Sequence, residues 1–265
     1  MSLEIMTDPR VRSVKWNDLV EVSPFETAYE LLLSLPWLLL SLVLANYRLY
    51  PFALGASFMF FLAGLRQVHN AHHYALGLSR GATEWVIYIM SALMLGSMHA
   101  VQFNHLEHHK HCMDDEDMEA LSARMGALKA IFFGPAFPIL LHWNAWKNAR
   151  PRIRRWMLAE LMTSIVLGFV VFGIMDIHAL QYHFAVMAVG QCLTAFFAVW
   201  TVHHDCGRSH FIARTLRNKL KNFVSMNMFY HVEHHLFPRV PTFHLPKLAE
   251  RLDQKAPELC KKTVF

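Results

Sequence analysis

Apolar residues along this chain gather in long, uncharged runs whose length predicts helices rather than strands. The first runs from about Thr27 to Asn46 through Leu31-Leu32-Leu33 and Leu38-Leu39-Leu40, with Pro36 as an expected kink of the kind membrane helices tolerate. The second, about Pro51 to Val68, and the third, about Thr83 to Phe103, each lead into a histidine-rich stretch. The fourth, about Ala127 to Trp143, is broken by Gly134, Pro135 and Pro138. The fifth and sixth, about Trp156 to Met175 and Ala179 to Val202, are uninterrupted, and the sixth ends at His203-His204. An α-helix needs about 20 apolar residues to cross the hydrocarbon of a bilayer. These runs therefore predict a membrane protein with several crossings.

The polar residues at the ends of the runs follow a pattern of their own. His69-Asn70-Ala71-His72-His73, His105-Leu106-Glu107-His108-His109 and His231-Val232-Glu233-His234-His235 each place imidazoles at i, i+3 and i+4. Residues so spaced share one helix face. Imidazole suits iron, zinc, copper and nickel. A single zinc takes about four ligands, and with nine or ten histidines on offer the economical count is two metals. The candidate ligands are His69, His73, His105, His108, His109, His203, His204, His231, His234 and His235.

His203 and His204 are adjacent and point differently, so one of the two is expected to ligate. His72 is read as a neighbour rather than a ligand. His111 lies about 200° around an ideal helix from His109, which sets it outside the ligand face. Glu107, Glu233 and Asp205 accompany the clusters and are expected to accept the second N–H of ligand histidines, as carboxylates commonly do. Cys112 and Cys206 are read as small buried residues. His99, His142, His178, His183, His210 and His244 are scattered and read as ordinary structural histidines.

One site requires all clusters at one membrane face, and parity then constrains the crossings. The first cluster follows two crossings. For the second to lie on the same side, the third run must lie along the interface or dip in and return. The fourth, with its prolines, is a poor span. The expected fold is all-α: four transmembrane helices in two hairpins, interfacial helices, and a cytosolic cap carrying the metal site. The whole chain, 1–265, reads as one integral-membrane domain, with residues 1–26 a cytosolic segment and 203–265 a cytosolic cap and tail. Charge placement agrees. The expected external turns, about Asn46 to Tyr50 and Met175 to Leu180, hold a single Arg or Lys, Arg48. Lys147, Arg150, Arg152, Arg154, Arg155, Arg208, Arg214, Arg217, Lys219 and Lys221 fall on the expected cytoplasmic side, as the positive-inside rule requires.

Composition narrows the classes further. Of 265 residues 54% are hydrophobic and 17% charged, and the mean hydropathy is +0.25, more apolar than a soluble domain. The net charge of +5 is accounted for by membrane topology, so no nucleic-acid partner is expected. Cys112, Cys192, Cys206 and Cys260 show no C-x-x-C spacing, which argues against a disulfide framework. Residues 1–27 lack the apolar core and cleavage site of a signal peptide, so both termini and the site are expected in the cytoplasm. A metal transporter would place its site near the bilayer midplane, whereas these clusters sit at helix ends.

From about residue 50 to 248 the chain resembles the membrane fatty acid desaturase superfamily, the histidine-box non-haem diiron enzymes. The first box is His69 to His73, the second His105 to His109, and the third lies within Tyr230-His231-Val232-Glu233-His234-His235-Leu236-Phe237-Pro238. The resemblance implies two irons (Fe2+/Fe3+) at the cytosolic membrane face, O2 as co-substrate, and an extra histidine after the last span, here His203 or His204. Some members carry an Asn near that point; none occurs between Gln191 and Asp205. It also implies a membrane lipid or acyl substrate that loses two hydrogens to a double bond. A carotenoid ketolase or hydroxylase, or an alkyl hydroxylase, is the alternative within the superfamily. Electrons are expected from a separate ferredoxin-, rubredoxin- or cytochrome b5-type donor, and the basic cytoplasmic face would attract an acidic partner. Phe132, Phe133, Phe137, Trp143 and Trp146 are candidates to line a substrate path, with interfacial aromatics as the equal alternative.

Overall fold

A computed structural model describes residues 4–208 and 211–264, and its regular structure is helical throughout. Nine helices position the site: α1 (Pro24–Asn46), α2 (Tyr50–His72), α3 (Arg80–Met94), α4 (Met98–His111), α5 (Ala136–Asn148), α6 (Pro151–Met175), α7 (His178–His203), α8 (His231–Leu236) and α9 (Leu245–Lys255). Among the described residues, α1, α2, α6 and α7 are long and apolar enough to cross a membrane. β-structure there is limited to isolated bridges from Thr215 to Tyr230 and Thr263.

Local chemistry sets the boundaries. Ser23 and Glu26 form a capping box, with Pro24 in the first turn of α1, where its missing N–H costs no hydrogen bond. Inside α1 the helix breaks at Leu33-Ser34 and restarts with Pro36 in the new first turn, so the expected kink falls just before the proline. Pro51 and Pro151 open α2 and α6 in the same way. Ser79 and Ser97 cap α3 and α4 by accepting from Ala82 N and Ala100 N.

The third apolar run is two helices, α3 and α4, meeting at 114°. Leu95 adopts the left-handed conformation at φ 56° to make the corner. The fourth run breaks at Gly134-Pro135 between a short helix, Ala127–Phe133, and α5. Gly134 is needed there because a Cβ would stand 1.9 Å from the Cys192 carbonyl oxygen of α7.

α1 packs along α2, and α7 packs on both. Leu38, Phe60, Phe61, Val68 and Met187 form the core between them, joined by Met90 and Met94 of α3. A buried polar knot ties α1 to α2. Arg66 pairs with Glu30, Asn70 Nδ2 donates to Glu30 at 3.1 Å, and Thr242 Oγ1 donates to Asn70 Oδ1 at 2.7 Å. A second core lies at the histidine end. There Ile5, Val11, Val14 and Leu19 of the N-terminal segment pack with Tyr230, Leu236, Phe237, Leu245, Leu248 and Leu252. Asp18 and Arg251 (2.7 Å), and Arg10 and Glu258 (2.5 Å), close its rim.

Candidate metal centre

Four separate chain segments deliver imidazoles to one place. The last turn of α2 carries His69, with His73 as its C-cap. α4 carries His105, His108 and His109 along one face. α7 ends on His203, and α8 supplies His231, His234 and His235. Just before His203, α7 widens into π-helical turns over Ala195–Trp200. A π-turn holds one residue more than an α-turn, so it rotates everything after it by about 100°. That rotation bears on which of two adjacent histidines faces inward.

The ring nitrogens form two groups. In the first, His105 Nε2 lies 3.0 Å from His73 Nε2 and 3.2 Å from His109 Nε2, and His109 Nε2 lies 2.9 Å from His234 Nε2. His69 completes it, its ring 4.0 Å from that of His234. In the second, His203 Nε2 lies 3.1 Å from His108 Nε2 and 2.9 Å from His231 Nε2. His235 Nε2 lies 3.3 Å from His108 Nε2 and 3.2 Å from His231 Nε2. Each ring N–metal bond is about 2.1 Å, which sets neighbouring ligand nitrogens about 3.0 Å apart at octahedral angles and about 3.4 Å apart at tetrahedral ones. The observed spacings, 2.9 to 3.3 Å, match the octahedral end and the middle of that interval to within about 0.1 Å.

Outer partners show that these nitrogens present lone pairs. His108 Nδ1 donates to Asp117 at 2.7 Å and His105 Nδ1 to Glu119 at 3.0 Å. His203 Nδ1 donates to the Ile212 carbonyl at 3.1 Å. A neutral imidazole that donates through Nδ1 has only a lone pair at Nε2. In the neutral state that ligation requires, His108 and His203 turn two lone pairs on each other at 3.1 Å, and a cation in the middle resolves the repulsion. Burial pushes His231, His234 and His235 well below the ordinary imidazole range, and the neighbouring rings add to it, so these rings are neutral as ligation requires. Burial raises the Asp117 carboxyl, but the bond from His108 and the Met113 and Ala120 N–H groups outweigh it and hold the group below the usual carboxylate value. Both nitrogens of buried His69 lack any hydrogen-bond partner, as expected of a ring poised for a metal. Two borderline transition-metal ions fit this donor set.

Several expectations are corrected here. The carboxylates beside the rings are Asp117 and Glu119, from the segment after α4, and not Glu107, Glu233 or Asp205. Glu107 pairs with Lys110 and His111 at the surface, Glu233 is taken by Thr215 and Arg217, and Asp205 by Arg214. The one available signal was the acidic run Asp114 to Glu119 following the second cluster.

His204 stands apart from both groups. Its ring stacks on Trp200 at 4.0 Å and its Nδ1 donates to the Trp200 carbonyl. His72 is buried beside His105, with rings 5.9 Å apart and Nε2 unpartnered, but it joins neither group. Cys112 is buried, its sulfur 3.9 Å from His235 Nδ1. His111 pairs with Glu107, Asp114 and Glu116. Of the scattered histidines, His142 links Ser97 N to the Pro138 carbonyl, His178 meets Tyr50, His183 meets the Leu93 carbonyl, and His244 meets Leu19 and Glu26. His99 sits between two carboxylates. His210 lies outside the described residues.

Apolar space adjoins the centre on two sides. A groove of about 570 Å³ between α2 and α7, lined by Phe58, Leu62, Leu65, Phe197 and Val202, reaches His231. A cavity of about 70 Å³ under Glu119 is lined by Val68, Met98, Val101, Phe137 and Val199. Of the five candidate lining aromatics, Phe137 faces that cavity, and Trp143 and Trp146 line an open groove beside it. Phe132 is 82% exposed, and Phe133 packs on Phe137.

A family model described as Fatty acid desaturase matches residues 42–263. No curated protein matches the chain.

Proposed function

Because the chain belongs to the fatty acid desaturase family, a family of oxidoreductases, we propose that it is a membrane-bound, O2-dependent diiron desaturase acting on the acyl chain of a lipid. The observation that carries this reading is the convergence of nine imidazoles, from four segments, into two groups with ligand-like spacing. His69, His73, His105, His109 and His234 would hold one iron, and His108, His203, His231 and His235 the other. Bound there, the iron pair would activate O2 as the oxidant that takes hydrogen from an unactivated C–H bond.

The protein's own residues do the rest. Asp117, Glu119 and the Ile212 carbonyl fix the tautomers and aim the Nε2 lone pairs. The groove between α2 and α7 is of ordinary ligand-pocket size. It admits an extended alkyl chain from the lipid side and brings it against His231. Leu65, Val68, Met98, Val101 and Phe137 keep the space beneath the metals apolar, which excludes water from the reacting carbon. Pairing of α1 with α2 and of α6 with α7 into two hairpins puts every cluster at one membrane face. The basic residues from Lys147 to Arg155 and Arg208 to Lys221 make that face cytoplasmic. Residues 1–26 and 203–265 then lie in the cytoplasm as parts of a single domain. Two electrons per turnover come from a separate ferredoxin-, rubredoxin- or cytochrome b5-type protein.

Expression in a host of known lipid profile, followed by mass spectrometry, tests the reading. A loss of two hydrogens from an acyl chain, abolished by His234→Ala, is expected. A gain of one oxygen instead would identify a hydroxylase or ketolase of the same superfamily. An unchanged lipid profile together with purified protein holding no iron would refute the assignment.

A further inference from the structure

The bend between α3 and α4 encloses a group of ionisable residues that none of the metal chemistry uses. His99, in the first turn of α4, is fully buried. Its Nδ1 meets Glu160 of α6 at 2.5 Å and its Nε2 meets Glu84 of α3 at 3.1 Å. The ring lies parallel to Trp156 of α6, 5.0 Å away. Glu160 is itself 1% exposed and sits inside a helix apolar enough to span a membrane. Buried carboxylates in such a place are costly unless every one is paired, and they mark a built feature.

The pairing is complete and straddles the corner. Glu160 Oε1 accepts from Ser91 Oγ at 2.7 Å, on the α3 side, and Glu160 Oε2 accepts from Ser97 Oγ at 2.5 Å, at the α4 cap. Ser91 Oγ also accepts from Met98 N at 2.9 Å. Glu84 accepts from Tyr74 Oη at 2.7 Å, and Tyr74 directly follows His73 at the end of α2. Gln102, one turn along α4 from His99, donates to the His72 carbonyl at 3.3 Å. One network therefore grips the end of α2, the end of α3, the start of α4 and the middle of α6.

We propose that His99, held between Glu84 and Glu160, is a positioning residue that sets the distance between the His69/His73 turn and the His105/His109 face, and thereby one of the two metal groups. The proposal rests on the two-metal reading above. Four of the five imidazoles of the first group come from the two helices the network joins. The second group takes only His108 from them, its other three rings arriving from α7 and α8. Disturbing the network should therefore weaken one metal and largely spare the other. Imidazole is suited to the task because its two nitrogens lie on opposite edges of a rigid ring and reach two carboxylates at once. A glutamine amide presents its donors at one end and restores only one contact.

The test uses the full chain in lipid nanodiscs, with iron per chain measured by mass spectrometry and coupling between the irons read by electron paramagnetic resonance. The unaltered protein should hold two coupled irons. His99→Ala should keep its far-UV circular dichroism, hold about one iron, and show an uncoupled high-spin signal. His99→Gln should fall between the two. Two coupled irons in His99→Ala would overturn the proposal, as would a folded variant with none, since the selectivity would then be absent. An unaltered protein that holds no iron pair would instead sink the diiron reading itself. Should His99→Ala fail to fold, Glu84→Gln weakens the same network at one bond; a shifted iron signal supports the proposal and an unshifted one refutes it.

Discussion

Asp117→Asn isolates the contribution of an outer partner to metal affinity. The carboxylate is fully buried and accepts from His108 Nδ1 at 2.7 Å, from Met113 N at 2.8 Å and from Ala120 N at 3.0 Å. Asparagine keeps the shape and one acceptor oxygen but removes the charge, and its N–H2 replaces either the oxygen that accepts from both His108 and Met113 or the one that accepts from Ala120. A hydrogen bond to a buried charged group contributes about 1.5–3 kcal/mol net. At about 1.4 kcal/mol per factor of ten, losing the His108 contact predicts a loss of metal affinity of about tenfold to a hundredfold, the range general for such outer partners.

The assay is iron release to a graded series of chelators from purified holoprotein, with Glu107→Gln as the control. Glu107 is 41% exposed and touches no ring of either group. The Asp117 variant should release iron at a chelator strength lower by one to two decades, and the Glu107 variant at the level of the unaltered protein. Equal release by the Asp117 variant and the unaltered protein, or equal weakening by both variants, would refute the tautomer argument. Asp117 also carries a pH signature. Its carboxyl is held below the unfolded value, so its contribution is present above about pH 4 and is lost as pH falls through the lower folded value.

Other consequences follow from the same geometry. His203→Ala should abolish product and lower bound iron, while His204→Ala, whose ring only stacks on Trp200, should keep both within about twofold; a reversal of the two would place the inward face of α7 wrongly. The metal-free protein should lose stability as pH falls below about 6.5. His231, His234 and His235 are held neutral in the fold, so the unfolded chain binds the protons first, at up to about 1.4 kcal/mol per ring and pH unit. Thermal unfolding of the metal-free protein between pH 5 and 8 measures this, and a flat profile would contradict it. Gly134→Ala forces a Cβ against the Cys192 carbonyl and should destabilise by about 1–3 kcal/mol or more, seen as a fall in melting temperature of several degrees. An unchanged melting temperature would mean that α7 and the short helix before α5 are free to separate.

The unbroken apolar runs announced the four long helices, because burial in lipid leaves no other way to satisfy the backbone, and their limits lie within about four residues of the expected ones except for α6, which starts at Pro151. The i, i+3, i+4 histidine spacing marked eight of the nine rings that the structure gathers, all but His203, together with His72, which stays outside both groups, because that relation depends only on helix geometry. Three features were beyond such local reading. The 114° corner depends on Leu95 accepting a left-handed backbone while Glu160, remote in sequence, bridges both arms. The inward turn of His203 rather than His204 follows a π-helical stretch whose extra residue no periodicity reveals. The carboxylates at the rings come from the loop after α4, whereas Glu107 sits inside the box but on the far side of its helix. Sequence spacing specifies which side chains share a face; which faces meet, and what stands behind them, is decided by packing between segments distant along the chain.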